Sequence, residues 1–331
     1  MKITIPLIVY NIILFWLPTP AGLEFIYIVI GITMVLLYFS HLLPEWLRGP
    51  AGLTLVLVLF GYTLLRIWST SESNPDLIGG LLQFSDANGY YYDARRLLEG
   101  GLFSVFSGRR PLFAALLTVL LGITSQNLQI SLAILVAINA ITGYFLFREI
   151  EHTHGSAVAT MVLLLFYLFY RRFIDSTLTE NLGLALGALG FTLLWRGTGQ
   201  RQKSPILFGL FLLTLALNAR SGAYLILPAL VLWFAWFFRD ENRLSWKCLI
   251  VAGAVVIIAF GINLFLLKQL AVAESIPNSN YSFSFYGLAV GGKGWTQIMV
   301  DHPEVMSMNL TDQTNTIFKL AIQSIQSIHG A

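Results

Sequence analysis

Long apolar runs dominate this sequence and restrict the folds open to it. Residues 248–267, for example, read CLIVAGAVVIIAFGINLFLL and contain no charged side chain. A helix needs about 20 such residues to cross the hydrocarbon core of a bilayer. Only 11% of the chain is charged, against about a quarter of an average soluble domain, and the mean hydropathy is +0.73. The sequence therefore predicts an all-α, polytopic membrane protein.

About nine transmembrane helices can be placed by hydropathy. They cover residues 3–17, 23–43, 50–68, 127–147, 156–172, 181–195, 204–219, 222–238 and 248–267. The apolar run 111–124 would form a helix of only about 21 Å, so we expect it to be re-entrant or interfacial.

The expected organisation has three parts. Residues 1–49 would form N-terminal membrane helices, 50–267 the membrane core, and 268–331 a short extracytoplasmic tail. The core includes a large polar loop at 69–126, in which we expect a juxtamembrane helix.

Charge in the loops predicts the orientation of the chain. The loop 196–203 is purely basic, and the loop 239–247, two spans later, is rich in arginine and lysine. The positive-inside rule places both loops in the cytoplasm. The loop 69–126, residues 171–180 and Arg220 then lie on the outer face together with the tail. Several arginines remain on that outer face, and we expect them to bind an anionic headgroup.

Residues 84–113 form the longest polar segment before the tail. Its charged side chains are Asp86, Asp93, Arg95, Arg96, Glu99, Arg109 and Arg110. Apolar residues recur at i, i+4 spacing over residues 90–106, which are expected to lie along the membrane surface as one amphipathic helix. Polar loops often carry chemistry, so this segment is the first place to look for a functional site.

Two further segments bring ionisable groups to the same face. One ends at Glu180, and the other surrounds Arg220. A carboxylate beside arginines at a lipid–water boundary suits the transfer of a group from a phosphate. The acid can take a proton from an acceptor hydroxyl, and the arginines can hold the phosphate that leaves.

In these segments the chain resembles the GT-C superfamily of membrane glycosyltransferases, especially its protein-O-mannosyltransferase and aminoarabinose-transferase branch. The first-loop pattern of that family has an Asp, a Tyr four residues later and a helix ending near a Gly. Asp86, Tyr90 and Gly101 match it. The basic-Pro-apolar step of the family is matched by Arg-Arg-Pro-Leu at residues 109–112.

The order of the later motifs extends this resemblance over residues 50–267. A second acid after the third core span is matched by Glu180 in Thr-Leu-Thr-Glu-Asn. The basic residue that follows the fifth core span is matched by Arg220.

The resemblance implies an inverting glycosyltransferase whose donor is a sugar on a polyprenyl phosphate. Asp86 would be the catalytic base, and Glu180 would position or support the acceptor. The substrate-binding residues would be Arg220, Arg109, Arg110 and Tyr90. The acceptor could be a lipid, a glycan or a protein, and the other partners would be membrane lipids. Neither a nucleotide donor nor nucleic acid is expected, and the predicted location is the bacterial plasma membrane.

The sequence departs from the family at Ala87, where many members have a second acid directly after the first. A divalent metal therefore stays open as a cofactor, and no other cofactor is expected. Two other functions also stay open. A lipid-phosphate or glycolipid transporter would use the same arginines without needing Asp86, although no internal repeat of the kind found in many transporters is evident. An inactive structural relative would need neither the arginines nor Asp86.

Structural roles are also open for the candidate residues. Asp86 or Glu180 could cap the helix that follows it, and Arg220 could extend to the interface from the end of its span.

Other polar residues are expected to be structural. Asp93 and Glu99 should pair with Arg95 or Arg96. The histidines at 152 and 154 lack an evident third ligand, so no metal site is expected there.

Three features stand out in the tail. Glycines between residues 287 and 294 are expected to form a flexible loop over the site. Residues 301–304 look like a turn followed by a helix start. Residues 311–328 fit an amphipathic helix, with apolar side chains at Ile317, Leu320, Ala321, Ile325 and Ile328.

Overall fold

The computed structural model describes residues 4–16, 24–239 and 243–329, and this part of the chain is almost entirely helical. The helices are α1 (Thr4–Trp16), α2 (Glu24–Tyr38), α3 (Glu45–Thr70), α4 (Ser85–Leu98), α5 (Val105–Gly108), α6 (Pro111–Ile123), α7 (Leu128–Tyr170), α8 (Glu180–Gly199), α9 (Lys203–Ala219), α10 (Ile226–Phe237), α11 (Trp246–Leu270), α12 (Tyr281–Ala289), α13 (Gln297–Asp301) and α14 (Leu310–His329). Strands β1 (Leu77–Ile78) and β2 (Leu82–Gln83) pair as a short antiparallel hairpin. Parts of the predicted spans 3–17 and 23–43, and of the loop 239–247, lie outside the described residues.

Within the described residues, four helical stretches have the length and apolar composition needed to cross a bilayer. They are Phe25–Leu42, Glu45–Thr70, Leu128–Tyr170 and Trp246–Leu270. Large apolar side chains point outward from the last of these, with Ile250 68% and Ile257 72% exposed. Such a surface is stable against lipid rather than water. The chain is therefore an all-α membrane protein, and the count of nine spans remains a prediction.

Helix α7 bends sharply at Gly155, where φ is 83° and ψ is 169°. A residue with a side chain rarely adopts this conformation, so glycine allows the chain to reverse here. The two arms then pack against each other. Their contact is close at Gly143, where an added Cβ would lie only 2.9 Å from the ring of Phe166. The predicted spans 127–147 and 156–172 correspond to these two arms.

Small residues allow α8 and α9 to pack closely. Gly190 of α8 faces Gly209 of α9, and a Cβ on Gly209 would lie 2.6 Å from the carbonyl oxygen of Gly190. Helices in membranes gain little from the hydrophobic effect between them, so close backbone contact of this kind stabilises their packing.

The loops gather at two ends of the helix bundle. We call one end the tail side, because the C-terminal helices α12–α14 lie there. Backbone hydrogen bonds join Phe103 to Leu270 (2.7 Å) and Asn278 to Arg109 (3.0 Å), which attaches the tail to the first polar loop. At the opposite side, an ion pair of 2.6 Å joins Arg48 to Glu151.

The predicted surface helix over residues 90–106 is shorter than expected. Helix α4 ends at Leu98, and Gly100 follows with φ +87°, a left-handed conformation that commonly ends helices. The chain then turns so that the amide of Phe103 reaches the carbonyl of Leu270. A contact distant in sequence therefore interrupts the apolar pattern that suggested one continuous helix.

The expected pairing of Asp93 with a neighbouring arginine is wrong. Asp93 is buried and accepts hydrogen bonds from the amide (3.2 Å) and hydroxyl (2.6 Å) of Ser104. It faces the bundle and joins α4 to the start of α5. Glu99 does pair with Arg95, at 3.6 Å on the exposed surface.

The tail folds around its own small apolar cluster. Its members include Phe283, Tyr286, Ile298, Val305, Ile317 and Ala321. The buried Ile317 and Ala321, with Leu320 partly buried beside them, confirm the amphipathic pattern of α14 in its middle, whereas Ile325 is exposed and the side chain of Ile328 lies outside the described residues. The predicted turn and helix start at residues 301–304 are confirmed, because α13 ends at Asp301 and a short 3-10 helix begins at Pro303. Gly287 belongs to α12 and is tightly packed, because a Cβ there would lie 2.5 Å from the carbonyl oxygen of Lys293.

Candidate functional site

A cavity of about 470 Å³ opens on the tail side and collects most of the predicted site residues. The first polar loop and the residue after α9 contribute Asp86, Tyr90, Phe106, Arg109, Arg110 and Arg220. The tail contributes Asn280, Phe283, Ser284, Trp295, Met299, Met306 and Gln313. Of the predicted residues, Glu180 alone does not line this cavity, and it contacts Arg220 from behind.

Asp86 lies in the first turn of α4 with its side chain exposed to the cavity. The capping interpretation is wrong, because Phe84 is the N-cap residue and no side chain caps this helix. Within the described part of the chain, no cation lies within ion-pair distance of the Asp86 carboxylate. Asp86 is therefore an accessible carboxylate that can accept a proton from a bound molecule.

Arg109 and Arg110 lie at the junction of α5 and α6, and Pro111 is the first residue of α6. Neither guanidinium has a carboxylate within ion-pair distance among the described residues. Their Nε atoms are also buried without an acceptor. Burial, and then the charge of Arg110, lower the pKa of Arg109. Two adjacent cations without a counter-charge favour an anionic ligand.

Arg220 directly follows α9 and is held by the acid predicted to support the site. Its Nη2 lies 3.1 Å from Oε1 of Glu180, the first residue of α8. Glu180 does not cap α8, whose N-cap residue is Thr179. Gly183 allows the approach, since a Cβ there would lie 3.0 Å from the Cβ of Arg220. The ion pair fixes the direction of Arg220 at the cavity wall.

Tyr90 forms part of the cavity wall and is mostly buried. Its ring packs against Phe106, with centroids 4.9 Å apart, and edge-on against Phe113 at 5.7 Å. Burial raises the pKa of its phenol, while the nearby Arg110 opposes the shift. Tyr90 is thus a neutral aromatic surface beside Asp86.

A buried amide holds the two outer loops together behind Asp86. Oε1 of Gln83 accepts a hydrogen bond of 2.7 Å from the amide of Thr177. The Thr177 hydroxyl lies 2.6 Å from the carbonyl oxygen of Ala87 and 3.0 Å from the same Oε1, and its single proton can be donated to either acceptor. Ala87 is fully buried, so an acid at this position would face the packed loop rather than the cavity.

Asp76 is an acid that the sequence did not single out. Burial, followed by the charges of Asp86 and Glu180, raises its pKa. Among the described residues, however, there is no group of three or more His, Cys, Asp or Glu side chains that could hold a metal ion. A divalent metal nevertheless stays open, because Mg²⁺ is commonly held by one or two carboxylates together with substrate phosphates.

Sequence reasoning missed the tail residues that complete the cavity. Trp295 lies just after the glycine-rich loop, and a lone aromatic beside several glycines is a signal that could have drawn attention to it. Asn280 and Gln313 carry no such signal, because their place in the wall depends on how the tail folds back. The glycine loop was expected over the site, and it does bring Trp295 there.

The remaining question is whether any known protein shares this arrangement. Comparisons of the chain with protein-family models, with curated proteins and with solved structures found no match. Function must therefore be argued from the chemistry of the site itself.

Proposed function

We propose that this protein is a multi-pass glycosyltransferase of GT-C type in the bacterial plasma membrane. It moves a sugar from a polyprenyl phosphate to an acceptor hydroxyl on the extracytoplasmic face. One observation carries the proposal: Arg109 and Arg110, without a carboxylate partner in the described chain, share a cavity with the accessible Asp86. A ligand with a phosphate and a reacting hydroxyl would use both kinds of group.

Asp86 acts as the base. It takes the proton of the acceptor hydroxyl as that oxygen attacks the anomeric carbon of the donor sugar. The bond from this carbon to the phosphate oxygen breaks, and the polyprenyl phosphate leaves with the bonding electrons. Attack from the face opposite the leaving group inverts the anomeric centre.

The arginines stabilise the leaving group. Negative charge grows on the phosphate as the bond breaks, and guanidinium groups fixed in place interact most strongly at that stage. Arg109 and Arg110 belong to the first loop, and Arg220 belongs to the end of α9. Glu180 is a positioning residue, because it holds Arg220. Tyr90 offers an aromatic face against which a sugar ring can pack.

Transfer of label from a radiolabelled polyprenyl-phosphate sugar in membranes tests the proposal. Asp86→Asn should lower the rate about 100-fold or more, since it removes the base without changing size. Arg220→Ala should lower it at least about tenfold, through the loss of phosphate stabilisation. Glu99→Gln and Arg95→Ala are matched controls, because these residues form an exposed pair away from the cavity. Both controls should retain the native rate.

Any of three results would overturn the proposal. Normal transfer by Asp86→Asn would exclude its role as base. Absence of transfer by the native chain, with polyprenyl phosphate still bound and carried across vesicle membranes, would instead favour the lipid-phosphate transporter. Binding without transfer or transport would favour the inactive relative.

A further inference from the structure

A second cavity, of about 540 Å³, lies on the tail side between α2, α3 and the segment after α7. Its charged lining residues are Arg66, Glu72, Asp76, Arg171, Arg172 and Asp175. None of them lines the cavity that contains Asp86. The two cavities therefore share no lining residue, although the charge of Asp86 acts on Asp76.

Two cations in this cavity lack a counter-charge. Arg171 and Arg172 directly follow α7, and no carboxylate of the described chain lies within ion-pair distance of either. Arg66, by contrast, pairs with Glu72 at 3.2 Å. The arginine pair is thus available for an anionic group.

Two acids in the same cavity also lack a cation. Asp175 is buried, and among the described residues the side-chain hydrogen bond to its carboxylate, from Asn74, is a long one of 3.4 Å. Burial, and then the charges of Glu72 and Asp76, raise the pKa of Asp175 to about 6, against a backbone hydrogen bond that lowers it. Asp76 makes no side-chain ion pair in the described residues. A cation between Asp76 and Asp175 would stabilise their ionised forms.

The ends of three candidate membrane spans surround this cavity, so we expect it to lie at the level of lipid headgroups. Three of the four stretches able to cross a bilayer begin or end beside it: Ile26 and Tyr27 open one, Arg66 is in the last turns of the second, and Arg171 follows the third. Tyr27 and Phe173 supply aromatic side chains, which favour membrane interfaces. A headgroup entering from the bilayer could reach both the arginines and the acids.

We infer that this cavity binds the headgroup of a zwitterionic phospholipid that carries a primary ammonium. The phosphate lies against Arg171 and Arg172, and the ammonium lies between Asp76 and Asp175. One ligand then satisfies two pairs of charges that do not satisfy each other. This binding goes beyond the proposed sugar transfer and does not depend on it.

Binding of phosphatidylethanolamine with a fluorescent acyl chain to the detergent-purified full chain tests the inference. Phosphatidylglycerol has the phosphate without an ammonium group, and phosphatidylcholine has a quaternary ammonium that cannot donate hydrogen bonds. Each of these two lipids should bind at least about tenfold more weakly than phosphatidylethanolamine. A tenfold difference in Kd corresponds to about 1.4 kcal/mol. Inorganic phosphate should not displace the lipid at comparable concentration.

Two sets of variants separate the two ends of the headgroup. The double variant Arg171→Ala with Arg172→Ala should weaken the binding of all three lipids by at least about tenfold. Asp175→Asn should reduce the preference for phosphatidylethanolamine over phosphatidylglycerol to near unity. Arg95→Ala with Arg96→Ala removes another adjacent arginine pair, on α4, and should change neither the affinity nor the preference. Lipid binding is measured without a sugar donor, so a failure of sugar transfer would not affect this test.

Several outcomes would overturn the inference. Equal binding of phosphatidylglycerol by the native chain would reduce the site to a simple anion site. Displacement by inorganic phosphate would assign it to free phosphate. Equal losses in the Arg95–Arg96 control would indicate non-specific attraction of lipid to surface charge.

Discussion

Aspartate has a different role at three positions in this chain, and its surroundings decide which. Asp93 is buried and fully used by two hydrogen bonds from Ser104, so it joins two helices. Asp175 is buried with one long hydrogen bond and shares its surroundings with other acids. Asp86 is exposed to a cavity beside arginines. Only the last combination leaves a carboxylate free to accept a proton from a ligand.

At the same scale, Glu180→Gln tests whether Glu180 positions Arg220. The side chain of Arg220 is 48% exposed, so losing the ion pair should cost no more than about 1 kcal/mol of stability. The kcat for sugar transfer should fall about tenfold with little change in the KM for the donor, because the arginine that stabilises the leaving phosphate loses its fixed direction. Glu99→Gln, which breaks the exposed pair with Arg95, is the control. An unchanged kcat in Glu180→Gln would contradict the positioning role.

Asp175 should make stability depend on pH. Its pKa is raised from 3.8 to about 6 in the folded chain, so the folded state holds this proton more tightly than the unfolded state. Its stabilising contribution to the free energy of unfolding is complete below pH 3.8 and is lost as pH rises through about 6. The loss amounts to about 3 kcal/mol.

The variant Asp175→Asn isolates this effect, because asparagine cannot ionise and keeps the acceptor for Asn74. We expect its Tm in detergent to match the native Tm near pH 4 and to exceed it at pH 7. Parallel pH profiles for the two proteins would rule out the assignment.

At the scale of elements, single glycines decide where helices end and turn. Gly100 ends α4 before the predicted length, and Gly155 divides α7 into two arms. Local sequence favours helix on both sides of Gly155, so the reversal depends on one residue that tolerates φ +83°.

Gly155→Ala should therefore destabilise the fold by about 1–3 kcal/mol, because alanine is strained in this backbone region. Gly253→Ala is a suitable control, since Gly253 lies within α11 and a Cβ there meets nothing within 4 Å. Chemical denaturation of both variants in detergent is the measurement. Equal stability of Gly155→Ala and the native chain would show that α7 does not need this bend.

For the whole molecule, the tail is a wall of the candidate active site. Its apolar cluster uses tail residues alone, while seven tail side chains, from Asn280 to Gln313, line the cavity. The tail is thus joined to the bundle through contacts such as that of Ser221 with Asn278, at 2.6 Å. We therefore expect the helices to fold without the tail, while the site needs it.

A chain that ends at Ala273 should keep its helical bundle and lose sugar transfer. The bundle keeps the contacts of Phe103 with Leu270 and Val272, but the cavity loses its outer wall and opens to water. Circular dichroism would report the helix content, and the transfer assay would report activity. Full activity in the shortened chain would show that the tail is dispensable for the site.

Much of the fold follows from local sequence, and part of the site does too. Runs such as 248–267 give the helices, because a membrane admits few other structures. The order of Asp86, Arg109, Arg110 and Arg220 also led to residues that do share one cavity. The role of Asp93 was misjudged because its partner Ser104 faces it only after the chain turns at Gly100. Spacing within a helix could not reveal that partner.

The sequence by itself determined the all-α membrane class and the identity of the charged residues in the polar loops, because apolar length and charge are local properties of the chain. The tertiary structure alone decided which charges meet. Glu180 pairs with Arg220, while Arg109 and Arg110 find no such partner within the described residues. The second cavity and the tail wall also appear only when segments distant in sequence come together. Electrostatic interaction depends on distance in space, and distance along the chain does not fix it.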